Sequence, residues 1–268
     1  MVYDLRLEST IDDRPETYQT FVDENGSSQL LQAFSQMQIK VTPELEFNGG
    51  LYIQQFMLNN HSSLEPRAGL SWTPAARHRL SIGYGRHSQL EKIRYYLAQH
   101  QTADGSVQPN KDLDFTIADH LVLGYDFQLT DQLRFKIEPY YQRLTQVPVR
   151  PDDSFSFVNL KDERFFNDPL VNEGTGSNIG VDLTLEKFLS DHFYYLLTAS
   201  IFDSKYKGGD GVERNSRYNR NYVINALVGK EIFIKTNNIL GLNAKFTAMG
   251  GERISPLLYN ISMEEKRV

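Results

Sequence analysis

Residues His120 to Leu144, HLVLGYDFQLTDQLRFKIEPYYQRL, alternate in two arms around a short polar turn. In the second arm Leu133, Phe135, Ile137, Pro139 and Tyr141 fall on one side of an extended chain. Arg134, Lys136, Glu138, Tyr140 and Gln142 fall on the other. In the first arm Leu121, Leu123, Tyr125 and Phe127 oppose His120, Gly124, Asp126 and Gln128. Side chains alternate across a strand with period two, so each arm has one apolar and one polar face. The turn is Thr130-Asp131-Gln132. Both arms exceed the roughly 5–6 residues of an ordinary strand. They reach the about 9–11 tilted residues that a strand needs to cross a bilayer.

The unit recurs along the chain. Val2 to Glu8, Leu31 to Val41, Leu45 to Leu58, Leu64 to Trp72 and Leu80 to Tyr84 alternate in the same way. So do Ile179 to Leu185, Tyr195 to Ile201, Tyr222 to Val228 and Leu240 to Ala248, the last with Leu240, Leu242 and Phe246 on its apolar side. That gives about eleven strands. Tight polar turns are expected at residues 42–44, 73–77, 130–132, 190–192 and 235–238, and they alternate with connections that are mostly long. Ser9 to Ser28 reads as a polar loop, because it holds Asp12-Asp13-Arg14-Pro15 and Asn25-Gly26. Residues 88–115, 145–176 and 203–219 read as long loops; within the first, Leu90, Ile93 and Leu97 suit a short helix or a protruding strand equally.

Sorting tight turns to one rim and long loops to the other is the pattern of an antiparallel up-and-down outer-membrane barrel. The mean hydropathy of -0.46 does not oppose this. In a barrel only alternate residues meet lipid, and each strand's signal is weak. Fifteen Tyr and sixteen Phe suit both β structure and aromatic girdles. There is no Cys, which excludes disulfides and thiolate metal sites. The net charge of -6 argues against a nucleic-acid partner. No apolar run is long enough for a transmembrane helix, and Met1 to Arg6 lacks the pattern of a signal peptide. An odd strand count with no closing strand is what a section of a larger barrel would give.

Leu64-Glu65-Pro66-Arg67-Ala68-Gly69-Leu70-Ser71-Trp72 and His78 to Gly85 resemble the barrel of TonB-dependent outer-membrane receptors. Leu170 to Gly176 running into Gly180 to Lys187, Asn221 to Glu231, and Gly250 to Pro256 are similar to the same family. The resemblance covers most of the chain and implies one domain over 1–268, a section of a barrel of about 22 strands with a plugged lumen. It implies the cell outer membrane as location. It also implies TonB as a partner through a plug region that these residues lack, and uptake of a scarce nutrient (siderophore, metal chelate, oligosaccharide or peptide). A porin or barrel enzyme, and a soluble all-β binding module, are the alternatives.

No catalytic, cofactor or metal site is expected. Gly174 to Gly180 has neither the spacing nor the strand-to-helix context of a dinucleotide loop. His61, His78, His87, His100, His120 and His192 lack ligand spacing and are assigned to loops and rims. Asp152-Asp153, Asp162-Glu163 and the surroundings of Asp210 lack the calcium-loop spacing. Ligand contact is expected of loop aromatics and arginines, Tyr95, Tyr96, Phe165, Phe166, Tyr206, Arg214, Arg217 and Tyr218, because aromatic faces and guanidinium forks bind sugars, chelates and peptides. Lipid contact is expected of Leu121, Leu123, Tyr125, Phe127, Leu133, Phe135, Ile137, Tyr141, Leu240, Leu242 and Phe246.

Overall fold

The structure, a computed structural model, describes residues 2–11, 14–103, 105–160, 167–235 and 238–254. Strands β1 (Val2–Ile11) and β2 (Arg14–Ser27) form a hairpin of their own. There follow β3 (Leu30–Lys40), β4 (Leu45–Phe56), β5 (Ser62–Ala75) and β6 (His78–Gln89). A single turn of helix, α1 (Ile93–Tyr96), leads to a small hairpin, β7 (His100–Thr102) with β8 (Gly105–Val107). The chain continues through β9 (Thr116–Gln128), β10 (Leu133–Val149), β11 (Val171–Ser190) and β12 (Phe193–Lys207). The last described strands are β13 (Glu213–Asn215), β14 (Tyr222–Lys235) and β15 (Asn238–Met249).

One antiparallel sheet carries the order β3-β4-β5-β6-β9-β10-β11-β12-β14-β15, with β13 added on β12. Every long strand therefore pairs with its neighbour in sequence, as a meander requires. The registers bring the apolar residues of adjacent strands together. Phe135 stands opposite Phe127 and Leu185, Ile137 opposite Tyr125 and Leu183, and Tyr141 opposite Leu121 and Ile179. A slip of one residue would turn a charged row onto this face, so the pattern fixes the register. On the opposite face Arg134 pairs with Asp126, and Lys136 lies 2.6 Å from Glu138.

The tight turns join β3 to β4, β5 to β6, β9 to β10 and β11 to β12, all at one rim. The β11–β12 link is Asp191-His192, both left-handed at φ 51° and 64°. Two such residues in a row make the turn whose twist matches a hairpin. Pro139 lies inside β10, a central strand, where it has no N–H to give the ladder. The β9–β10 pairing accordingly lapses between Ile137 and Tyr140.

Among the described residues all eleven expected strands are present, with four more besides. The expected loop Ser9 to Ser28 is largely strand β2, with Asn25 opposite Asp4 and Gly26 opposite Tyr3. Ten ladder partners on β1 override the local turn chemistry of Asn25-Gly26. The expected loops at 145–176 and 203–219 are shorter than expected. β10 runs to Val149, β11 begins at Val171, and β12 runs to Lys207. Gly174, Gly176 and Gly180 accordingly sit within β11 and not before it. At Gly174 a Cβ would lie 2.3 Å from Val149 Cγ1, so the strands approach there as only glycine permits. In the insertion before β9 the residues around Ile93 take the helical alternative as α1, and the β7–β8 hairpin follows them.

The buried core does not lie on the sheet's apolar face. Leu121, Leu123 and Tyr141 are 42%, 47% and 44% exposed, and Leu240, Leu242 and Phe246 are 43%, 52% and 63% exposed. Tyr125, Phe127, Leu133, Phe135 and Ile137 are half-buried. The cluster of fully buried apolar side chains is at the loop rim: Phe56, Tyr96, Leu113, Phe115 and Leu170.

Candidate functional site

The loop rim is built on that cluster. Tyr96 is completely buried and meets Phe56 edge-on, with centroids 5.1 Å apart. Its hydroxyl accepts the backbone N–H of Glu91, and burial pushes its pKa above the ordinary tyrosine range. Tyr95 is buried against Phe157 at 5.1 Å, with the Arg94 guanidinium over its ring. The ligand contact expected of Tyr95 and Tyr96 is thus replaced by packing, since buried rings offer a ligand no surface. Beside them the Glu91 carboxyl is pushed up to about 7, chiefly by desolvation, with a hydrogen bond from Thr116 acting the other way.

Polar side chains tie the insertion to its neighbours. Asn110 Nδ2 donates to the Asp168 carbonyl and Asn110 Oδ1 accepts from Leu170 N. Asn172 Oδ1 accepts from Asp114 N, and Asn172 Nδ2 donates to the Gln146 carbonyl. His61 Nδ1 lies 3.1 Å from Asp114. These amides satisfy backbone groups that irregular loops would otherwise leave bare.

The second group of expected contacts lies on β12, β13 and the link to β14. Tyr206 is 8% exposed, and Arg214 grips Asp210 through two bonds of 2.9 and 2.7 Å. That pairing holds the Asp210 carboxyl below its usual range. The loop acid expected to be merely solvated is thus neutralised by an arginine. Arg217 takes Asn159 Oδ1 on its backbone N–H at 2.8 Å, and its side chain is half-buried without an ion-pair partner among the described residues. Tyr218 is 40% exposed, and its hydroxyl donates to the Leu160 carbonyl. Phe165, Phe166, Asp162 and Glu163 lie outside the described residues.

The polar face of the wall, below these loops, holds residues that the sequence reading assigned elsewhere. His120 lies within β9, opposite Gln142, and does not sit on a loop or rim. Its Nε2 is 2.7 Å from Gln142 Nε2, Gln142 Oε1 accepts from Asn178, and the His87 ring stands edge-on at 5.3 Å. The signal was available: His120, Gln142 and Asn178 fall on the polar side of their strands. Next to them Glu65, 2% exposed, accepts from Gln54, from the Ser88 hydroxyl and N–H, and from Arg67. Four donors on one carboxylate make its burial tolerable. Arg67 also stacks over Tyr52 at 5.6 Å. Among the described residues no cluster of three metal-ligating side chains occurs.

The family model for the TonB dependent receptor-like β-barrel matches residues 3–249. The chain belongs to the TonB-dependent receptor family. Solved structures of similar fold include the ferric enterobactin receptor PfeA of Pseudomonas aeruginosa, with a TM-score of 0.61, 16% identity, and coverage of 85% of this chain and 33% of that one. The ferric-catecholate import receptor Fiu of K12 E. coli gives 0.61 at 12% identity, with 87% and 36% coverage. The ferric yersiniabactin uptake receptor FyuA of Yersinia pestis gives 0.61 at 12% identity, with 91% and 37% coverage. These identities speak to the fold. The chain spans about a third of the length of the receptors it matches. No curated protein matches it by sequence. The fold expected of this section, an antiparallel up-and-down barrel wall, is the fold of the family.

Proposed function

We propose that these residues form part of the wall and ligand vestibule of an outer-membrane receptor that takes up a scarce nutrient with energy from TonB. The observation that supports this most is the division of one continuous sheet into an exposed apolar face and a hydrogen-bonded polar face, with loops gathered at one rim. Lipid would cover the first face and the receptor's interior would hold the second. The ligand class favoured is a ferric chelate, since the named structural relatives are receptors for such compounds. Its contacts in this section are Arg217 and Tyr218 at the rim, and the His87, His120 and Arg67 side of the wall. Tyr206 and Arg214 support those contacts from within the fold.

The reading is tested on the full-length protein. A ferric tris-catecholate should quench its fluorescence saturably, and Arg217→Ala with Tyr218→Ala should weaken binding about tenfold or more, the loss typical of a central aromatic or arginine contact. Uptake of the labelled chelate should stop in cells without TonB. Uptake that persists there, or chelate binding unaffected by both substitutions, would refute the reading.

A further inference from the structure

Toward the loop rim the apolar face carries a line of charge. Arg86 pairs with Asp119, Asp119 stands opposite Arg143, Arg143 opposite Ser177, and Ser177 opposite Lys205. This single row crosses five strands and holds three cations against one carboxylate. Immediately below it the same face carries Tyr84, Leu121, Tyr141 and Ile179, again in register, with Asp203 at the β12 end of that row. The row's height is set by strand geometry. Ten residues separate Leu133, near the tight turn, from Arg143. At about 3.3 Å per residue and a tilt of about 40°, that is about 25 Å, the height of the apolar band of an outer-membrane barrel. The row therefore lies at the upper edge of the band, where lipid headgroups begin.

Two adjoining hollows meet at this edge. The lower one, about 460 Å³, is lined by Leu121, Leu123, Pro139, Ile179 and Ile201. Its floor is Pro139 opposite Val181, where the proline ring and the branched valine are shorter than the flanking Tyr141 and Leu123 side chains. The upper one, about 410 Å³, is lined by Arg143, Lys205, Lys207, Glu173 and Glu213. Tyr141 borders both. The carboxylates near the row are mostly engaged: Asp119 accepts from Arg86 at 2.8 Å, and Asp203 and Glu213 lie 3.4 and 3.5 Å from Lys205. Glu173 is exposed, farther along β11 toward the loops. Arg143, across from Asp119, and Lys207, across from Glu213, are exposed, and neither makes a close ion pair among the described residues.

We propose that this surface is a binding site for one anionic lipid, with an acyl chain in the groove floored by Pro139 and the headgroup phosphate between Arg143 and Lys207. The inference rests on the reading that the apolar face meets lipid. Charge and shape favour the occupant together. A chain of methylenes fits the lower hollow, and two unpaired cations directly above it suit a phosphate. A zwitterionic lipid would bring a cation of its own to the same place.

The test uses the full-length protein carrying a fluorophore at Ile82→Cys, on the apolar face beside Leu123 and outside the groove. It is reconstituted in phosphatidylcholine vesicles holding a minor fraction of brominated phosphatidylglycerol or brominated phosphatidylcholine. The anionic lipid is expected to quench preferentially. Each unpaired cation contributes about fivefold to that preference, so Arg143→Ala with Lys207→Ala should lower it about 25-fold. Lys136→Ala, on the opposite face, should leave it unchanged. Equal quenching by the two lipids would overturn the site while keeping the apolar face in lipid. No quenching by either would overturn the membrane reading itself. A loss as large from Lys136→Ala would show an effect of net charge and would also overturn the site.

Discussion

Leu123 and Phe115 lie eight residues apart, and their surroundings are opposite. Leu123, on β9, is 47% exposed amid a face of other exposed apolar side chains. Phe115, just before β9 begins, is completely buried among Phe56, Tyr96, Leu113 and Leu170. In water an apolar face running over ten strands would be costly to leave uncovered, and patches far smaller than this mark binding surfaces. The loop rim hides its large apolar groups as a water-soluble domain does. The wall does not. On the proposed reading the two regions answer to different solvents, and the change comes where the strands leave the apolar band.

The largest effect that sharpens this contrast is expected inside the loop core. Phe115→Ala should cost about 3–5 kcal/mol, the usual range for a buried ring. Amide exchange should rise over residues 90–115 and around Leu170, while β9 and β10 stay protected. If protection is lost equally along the wall, the two regions are not separate. On the wall, Leu123→Arg should cost about 2–4 kcal/mol in the membrane, as for a cation at mid-bilayer. Heat-modifiable mobility after folding into vesicles would report it. The same change at an exposed loop position, such as Val212→Arg, should be close to neutral; equal losses at both would mean that the wall does not meet lipid.

A smaller effect concerns pH and belongs to the loop core alone. The Glu91 carboxyl is held up to about 7 from an ordinary value of 4.5. Folding therefore keeps a proton there that the unfolded chain loses. The stabilisation is complete below about 4.5 and is lost as pH rises through about 7, on the order of 3 kcal/mol in all. Exchange at residues 91–98, corrected for its intrinsic pH dependence, should quicken across that window. Glu91→Gln should flatten the response, and a response that survives the substitution would assign it to another group.

The wall was legible because its physics is local. Alternation of Leu133, Phe135 and Ile137 with Arg134, Lys136 and Glu138 needs no knowledge of neighbours. The ends of the strands were not legible, because alternation stops while the ladder continues. Val147 and Val149 remain paired with β11 and are buried there, beyond the reach of the alternating pattern. β2 was hidden for a similar reason, since its pairing with β1 comes from the ladder and not from an apolar stripe. At the loop rim, Tyr95-Tyr96 has the composition of a binding surface. Only the arrival of Phe56 and Phe157 from elsewhere in the chain decides that these rings pack. The polar wall was within reach, because His120 and Gln142 face each other in the hairpin's own register.

The buried cluster draws its members from the end of β4, from α1, from the residues before β9 and from those before β11. These segments leave the sheet at strands that are not all neighbours. Their fates are nonetheless tied, because none can lift without uncovering the rings that the others shelter. A pull on the Leu170 segment is thereby a pull on Phe56, on the far side of the insertion. This part of the rim should open as a single latch, all at once, with the sheet beneath it acting as the fixed hinge plate.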